Sequence, residues 1–409
     1  MTTHTTHDIS LPSLGPCLRL VEAEELLPVL QQAMPGWPIE RCPVLPEAPD
    51  ICVWQHPDGY WQEAPALPQG ALLDTDVGTA CSVVADLAGA FLHRHPELVG
   101  LHCGSVEING QLVIFPDAHR AGKSTLTSAF AAAGCRVFGD DVLALNPEGE
   151  GIALGVAPRL RLPVPEALSV DFQHFVACHL GPFDDRYGYL NLSSSQLAAH
   201  GDRSPLGAVL LIDRDPTLTA PQLTRLKPGD GLWQLLQQNF AEHESDQALM
   251  KRFLPLLQQL PCFLLRYADA YEAALWLAQR WEGRPFSADR QQSQAVVRDE
   301  RGTVPSLPLD DTRCWHTSPA AFEWSLGDEL FVIGQNGGDI HRMNATSRAV
   351  WALLQHEPMN LQELSETLVA FFEGASLLQV TRDVAQLLAN LAKAGLLHSV
   401  EAEVDRVTE

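Results

Sequence analysis

The residues with the clearest chemical meaning lie between Leu101 and Val142, in LHCGSVEINGQLVIFPDAHRAGKSTLTSAFAAAGCRVFGDDV. Within it, Gly122-Lys123-Ser124-Thr125 follows the apolar run Gln111–Phe115 and opens an alanine-rich segment. A buried strand that turns into a helix leaves several backbone N–H groups without carbonyl partners. Together with the positive end of the helix dipole, these groups cradle phosphate oxygens. The expected loop comprises Asp117, Ala118, His119, Arg120, Ala121 and Gly122, with Lys123 reaching the β- and γ-phosphates, Ser124 Oγ holding Mg²⁺ and Thr125 ending the motif. The pattern G-x-x-x-x-G-K-[ST] places its first glycine at position 117, where this chain has Asp117. Aspartate tolerates positive φ, but its charge opposes phosphate unless Arg120 or a metal offsets it.

The elements that must hold these groups are legible around them. Gly134 stands where a helix-ending glycine belongs, Arg136–Phe138 reads as a short strand, and Asp140-Asp141 follows it. Ligands of open α/β sheets bind at the carboxyl ends of strands, which turns this acidic pair toward the loop. One carboxylate would then accept a hydroxyl proton and the other order Mg²⁺; the plainer reading is a solvated turn. Val99–Ile108 and Gln111–Phe115, joined by Asn109-Gly110, read as a hairpin that puts His102 on its first strand. Asp74–His95 is an amphipathic helix with Val83, Val84, Leu87, Ala90 and Phe91 on one face.

This segment resembles the catalytic core of the HPr kinase/phosphorylase family, in particular its branch found with modified-peptide gene clusters. His102 lies 21 residues before Lys123, and Gly134 and Asp140 lie 11 and 17 after it. The resemblance implies that Asp140 accepts the proton of an attacking hydroxyl, with Asp141 beside it and His102 near the carboxylates or phosphate. It implies Ser124 and Asp141 as metal ligands. The family's later glutamate-containing signature has no counterpart; Gly155-Val-Ala-Pro-Arg159-Leu-Arg161 stands there and resembles the arginine-bearing segment of the related branch, which makes Arg159 and Arg161 substrate-binding candidates. The family also suggests a homo-oligomer.

Composition sets limits. A chain of 409 residues with 46% hydrophobic and 19% charged residues suits two or three globular domains. There is no run of eighteen apolar residues, and MTTHTTHDIS is no secretory signal, so a cytoplasmic protein without a membrane partner is expected. The nine cysteines form no C-x-x-C pair, which argues for free thiols. A net charge of −24 disfavours nucleic acid, and the nucleotide site must gather its own positive charge from Lys123, Arg120, Arg159 and Arg161.

Residues 11–65 are short apolar pieces broken by prolines, with a helix near Glu22–Met34 and a strand at Asp50–Trp54, and no chemistry suggests itself there. Residues 172–195 show little periodicity and read as a loop open to substrate contact or to solvent alike. Strands at Leu206–Asp213, Gln222–Leu226 and Cys262–Tyr267 alternate with helices at Leu232–Phe240, 247–259 and Ala270–Trp281. From Ala321 three short strands precede three helices: Asn344 caps the first, Asn360 and Glu363 form a capping box for the second, and Gly395 ends the third. MNATSRAVWALL and AKAGLL resemble the PqqD family. That resemblance implies a winged-helix module that binds the leader of a ribosomally made precursor peptide as an added strand, with Ile340, Arg342 and Arg382 as candidate contacts. Four basic against nine acidic residues in 319–400 argue against DNA.

The expected architecture is α/β: an N-terminal α+β region (1–95), a P-loop HPr-kinase-like core (96–283), a linker (284–318) and a PqqD-like winged helix of three strands and three helices (319–400). The expected activity is ATP- and Mg²⁺-dependent phosphorylation of a Ser/Thr hydroxyl in a leader-held peptide, with other phosphate donors open. Two alternatives stand beside it: a small-molecule or HPr-like protein serine kinase, and a non-catalytic nucleotide-gated peptide chaperone.

Overall fold

The structure is a computed structural model that describes residues 5–116, 122–240, 244–281, 305–335, 339–371, 374 and 376–400. The chain divides into two compact units, Met1–His243 with Gln259–Ser293, and Glu244–Gln258 with Gln294–Glu409. Residues 1–95 therefore share one unit with most of the segment expected as the kinase core.

The proline-broken N-terminus forms more regular structure than its sequence suggests. Strands β1 (Thr6–Leu11), β2 (Gly15–Val21), β3 (Glu40–Cys42), β4 (Ile51–His56), β5 (Gly59–Ala64) and β6 (Leu67–Leu73) make a sheet in the order β3-β1-β2-β4-β5-β6. Helix α1 (Leu26–Ala33) keeps Pro28 in its first turn, where its missing N–H costs nothing. Helix α2 (Asp76–Arg94) is capped by Thr75, whose hydroxyl accepts from Gly78 N at 2.9 Å. Its apolar face, Val83, Leu87 and Phe91, joins Ile9, Leu18, Leu30 and Val53 in one core. Within β1, Asp8 is fully buried and accepts both arms of Arg19, at 2.7 and 2.9 Å, which holds its carboxyl below the usual range.

The rest of the first unit is built on β7 (Val99–Leu101), β8 (Gly104–Ile108), β9 (Gln111–Phe115), β10 (Arg136–Gly139), β11 (Leu143–Leu145), β12 (Glu150–Ile152), β13 (Arg159–Arg161), β14 (Leu180–Phe183), β15 (Tyr187–Leu190), β16 (Arg203–Arg214), β17 (Gln222–Arg225) and β18 (Cys262–Tyr267), with α3 (Lys123–Ala132), α4 (Val170–His179), α5 (Pro228–Gln237) and α7 (Ala270–Arg280). Helix α6 (Asp246–Leu257) lies between α5 and α7 in sequence and groups with the second unit. Strand β16 organises the sheet: its start pairs antiparallel with β12, its middle parallel with β9, and its end parallel with β18. The apolar run of β9 is buried on both faces, as a central parallel strand requires. Asn109 and Gly110 both take positive φ, +52° and +75°, making the tight β8–β9 turn that the sequence announces. Residues 172–195, expected as a loop, hold most of α4 and the strands β14 and β15, which join β13 in the sheet β13-β15-β14. Phe172 and Val176, one helical turn apart, bury that helix in the same core as Phe115, Phe130 and Phe263.

The second unit contains β19 (Cys314–Thr317), β20 (Ala320–Leu326), β21 (Glu329–Gly334), β22 (His341–Met343), α8 (Ala345–His356), α9 (Leu361–Phe371), α10 (Leu377–Lys393) and β23 (Leu397–Val400). The expected caps form: Ser347 N donates to Asn344 Oδ1 at 2.9 Å, and Asn360 and Glu363 bond reciprocally at 2.9 and 3.0 Å. The expected linker ends in structure, because Cys314–Thr317 pairs antiparallel with Leu397–Val400. In the sheet β20-β21-β22, Gln247 of α6 donates to Ala321 O of the β20 edge at 3.3 Å, while β22 pairs only with β21 among the described residues.

Candidate active site

The site is assembled at the carboxyl ends of β9 and β10. Residues 117–121 lie outside the described residues, so the loop positions Asp117, Ala118, His119, Arg120 and Ala121 are not placed. Gly122 takes φ +102°, a left-handed conformation that glycine adopts without strain, and delivers the chain into α3 at Lys123. Helix α3 ends as expected: Gly134 has φ +85°, Cys135 N donates to Phe130 O and Gly134 N to Ala131 O. Phe115 stacks on Phe130 at 5.7 Å, which packs the later turns of α3 against β9.

Lys123 is 6% exposed, an unusual burial for a lysine, and its charge helps to hold Asp141 ionised. Asp140 and Asp141 directly follow β10 but meet different surroundings. Asp140 is 4% exposed; its Oδ2 accepts from Arg159 N at 3.1 Å, the Ser124 hydroxyl bonds its carboxyl, and its Oδ1 is buried with no partner among the described residues. Burial first, and then the neighbouring Asp141 charge, push its carboxyl up to about 7. Asp141 is the opposite case. Burial raises it, but His102 Nε2 at 3.6 Å from Oδ1, Arg159 Nη2 at 3.4 Å from Oδ2, and Lys123 outweigh that and hold it below the usual range. One carboxyl is thus poised to gain or lose a proton near neutrality, and its neighbour stays charged.

His102 is not on a hairpin strand, as the spacing suggests. The chain changes partners there: β7 pairs with β11, β8 with β9, and His102 stands at the break. Its backbone N donates to Gln238 O at 2.6 Å, and Asn239 bridges Leu101, so the segment after α5 sets the position of the ring. Arg159 and Arg161 alternate with Leu160 on β13 and so share one face; their guanidinium carbons lie 4.5 and 5.9 Å from the Tyr187 ring. Arg159 Nη1 also donates to Cys81 Sγ of α2. Lys123, Ser124, Asp140, Asp141, His102 and Arg159 therefore form one constellation. Sequence reasoning missed Cys81, Tyr187 and the 238–240 segment. Cys81 carries no motif, and Tyr187 lies in the stretch without periodicity. Nearby, Thr75 Oγ1 donates to Asp184 at 2.7 Å beside a cavity of about 530 Å³ between the α2 start and β14.

The candidate leader contacts separate. Ile340 is 8% exposed and belongs to the interior rather than to a binding face. Arg342 forks onto Glu329, itself 4% exposed, with contacts of 2.8 to 3.1 Å, because a strand-edge arginine beside a buried carboxylate is bound to pair with it. Arg382 is exposed on α10. Arg342→Ala is accordingly expected to destabilise the second unit by about 3 kcal/mol, since it strands a buried carboxylate; chemical denaturation followed by the unit's tryptophans checks it.

Comparison with known proteins bears on both units. Residues 329–397 match the family model described as coenzyme PQQ synthesis protein D (PqqD), so the chain carries a PqqD domain at its C-terminal end. Among solved structures, the chain is similar to TbiB1 in complex with the TbiA(beta) leader peptide, at 24% identity over 20% of this chain and 94% of that one, with a TM-score of 0.19. It is also similar to the Hpr(Ser) kinase/phosphatase from Coxiella burnetii, at 12% identity over 44% of this chain and 91% of that one, with a TM-score of 0.23. No curated protein matches the chain. Among the described residues no helix is long and apolar enough to cross a membrane.

Proposed function

We propose that this protein is a kinase that transfers the γ-phosphate of ATP to a serine or threonine hydroxyl of a precursor peptide held through its leader by the PqqD domain. The single observation that carries the reading is the split carboxylate pair beside Lys123 and Ser124: Asp140 buried with a free Oδ1 and raised to about 7, Asp141 ionised next to it. A hydroxyl attacking phosphorus must shed a proton, and a carboxylate with a pKa near the working pH accepts it most effectively. Lys123 and Arg159 would offset charge on the phosphoryl oxygens, and His102 with Arg159 keep Asp141 oriented.

The donor set suits a hard cation. No group of three or more metal-binding side chains occurs among the described residues, and Mg²⁺ characteristically takes one or two protein oxygens plus phosphate oxygens. Ser124 Oγ and Asp141 would hold it, where it would neutralise phosphate charge. On the peptide side, α6 occupies the β20 edge, which leaves β22 for an added strand. Exposed Phe371 at the end of α9 and Leu377 and Leu378 at the start of α10 would offer apolar contacts for leader side chains.

Incubation with labelled ATP and peptides with and without the leader tests the reading. Leader-dependent label supports it; leader-independent label points to a small-molecule or HPr-like protein kinase, and nucleotide binding without transfer to a peptide chaperone. Its pH dependence is also fixed. Asp140 must be ionised to accept a proton, so kcat/KM rises with pH and levels off above a midpoint at about 7. A profile flat from pH 5.5 to 8.5 would remove Asp140 from that role.

A further inference from the structure

The proposed transfer, on which this inference rests, needs the Arg159 guanidinium to keep one orientation. A long arginine side chain otherwise samples many rotamers and gives up that freedom when it is fixed. Three groups hold it. Asp141 Oδ2 lies 3.4 Å from Nη2, too far to set an angle alone. The Tyr187 ring, 4.5 Å from the guanidinium carbon, sets the plane but permits rotation within it. Cys81 Sγ accepts from Nη1 and supplies the missing point, because a flat group tied at two corners and stacked on a third surface cannot turn.

The sulfur is itself held. Cys81 lies on α2, six residues past the Thr75 cap, and Tyr189, 2% exposed, packs beside it. Burial is the main influence on the thiol and raises it, which keeps it a neutral acceptor. We propose that Cys81 is a positioning residue for phosphoryl transfer: its sulfur locks the Arg159 fork in the plane that faces Asp140 and Asp141. Helix α2, which lies outside the Leu101–Val142 segment that carries the motifs, thereby completes the site.

The test uses the full-length protein, ATP and a leader-bearing precursor. Cys81→Ala is expected to lower kcat about tenfold with the KM for ATP changed by less than about twofold, because orientation and not affinity is lost. Cys81→Ser, which restores an acceptor at the same place, is expected to recover activity to within about threefold of the unmodified protein. In an Arg159→Gln background Cys81→Ala is expected to add nothing, since both changes break one contact. Should Cys81→Ala melt early, Cys81→Val restores the volume without a comparable acceptor and takes the same readings. A kcat unchanged in Cys81→Ala, or the same fall with and without Arg159, overturns the proposal alone. Absence of transfer by the unmodified protein overturns the functional reading and this proposal with it.

Discussion

Asp140→Asn is expected to lower the rate of phosphoryl transfer by about 10³-fold while nucleotide and leader affinities stay within about twofold. The amide keeps the shape of the carboxyl but cannot take a proton, so binding is spared and chemistry is lost. The same variant should be more stable than the parent at neutral pH, and the sign follows from the raised carboxyl. Between the ordinary carboxyl value of 3.8 and about 7, the folded protein retains a proton that the unfolded chain has released. Stability contributed by this group therefore falls as pH rises through that window and is lowest above it. Asparagine removes the penalty, and a melting transition raised by at least about 2 °C at pH 7.5, with no rise at pH 4, is the expected scan. Loss of activity with a gain in stability separates a catalytic carboxyl from a structural one, whose removal would cost both.

The second large effect concerns the leader. Deleting it from the peptide is expected to lower kcat/KM by about 10²- to 10⁴-fold with little change in kcat at saturation. Capture by the PqqD domain would convert a bimolecular encounter into a tethered one, so a weak contact at the acceptor residue suffices. Free leader peptide should compete against the full precursor but leave the leaderless substrate untouched. Competition against both would mean that the leader reaches the catalytic pocket itself.

Local rules carried most of what the sequence disclosed. The Asn109-Gly110 turn, the Gly134 helix end and the Asn360–Glu363 capping box each depend on a few neighbouring residues, and each forms where expected. The clustering of Lys123, Ser124, Asp140, Asp141 and His102 followed from motif spacing and resemblance. What stayed hidden depends on distant partners. His102 leaves the hairpin because β7 finds β11 and the 238–240 segment, pairings that no local pattern encodes. The N-terminal sheet was obscured because prolines at turns and strand ends leave short apolar pieces without a sustained period. Cys81 reads as an ordinary helical cysteine until the fold brings Arg159 against it. Arg342 looked available for a leader only because its buried partner Glu329 lies across the sheet.

The most direct measurement is tandem mass spectrometry of the precursor peptide after incubation with ATP carrying ¹⁸O in its γ-phosphate, for the unmodified protein and for Asp140→Asn. The expected result is a labelled phosphoryl group on a serine or threonine beyond the leader, formed by the unmodified protein alone. Equal labelling by both proteins, or none from the unmodified protein although it binds nucleotide and leader, would contradict the account.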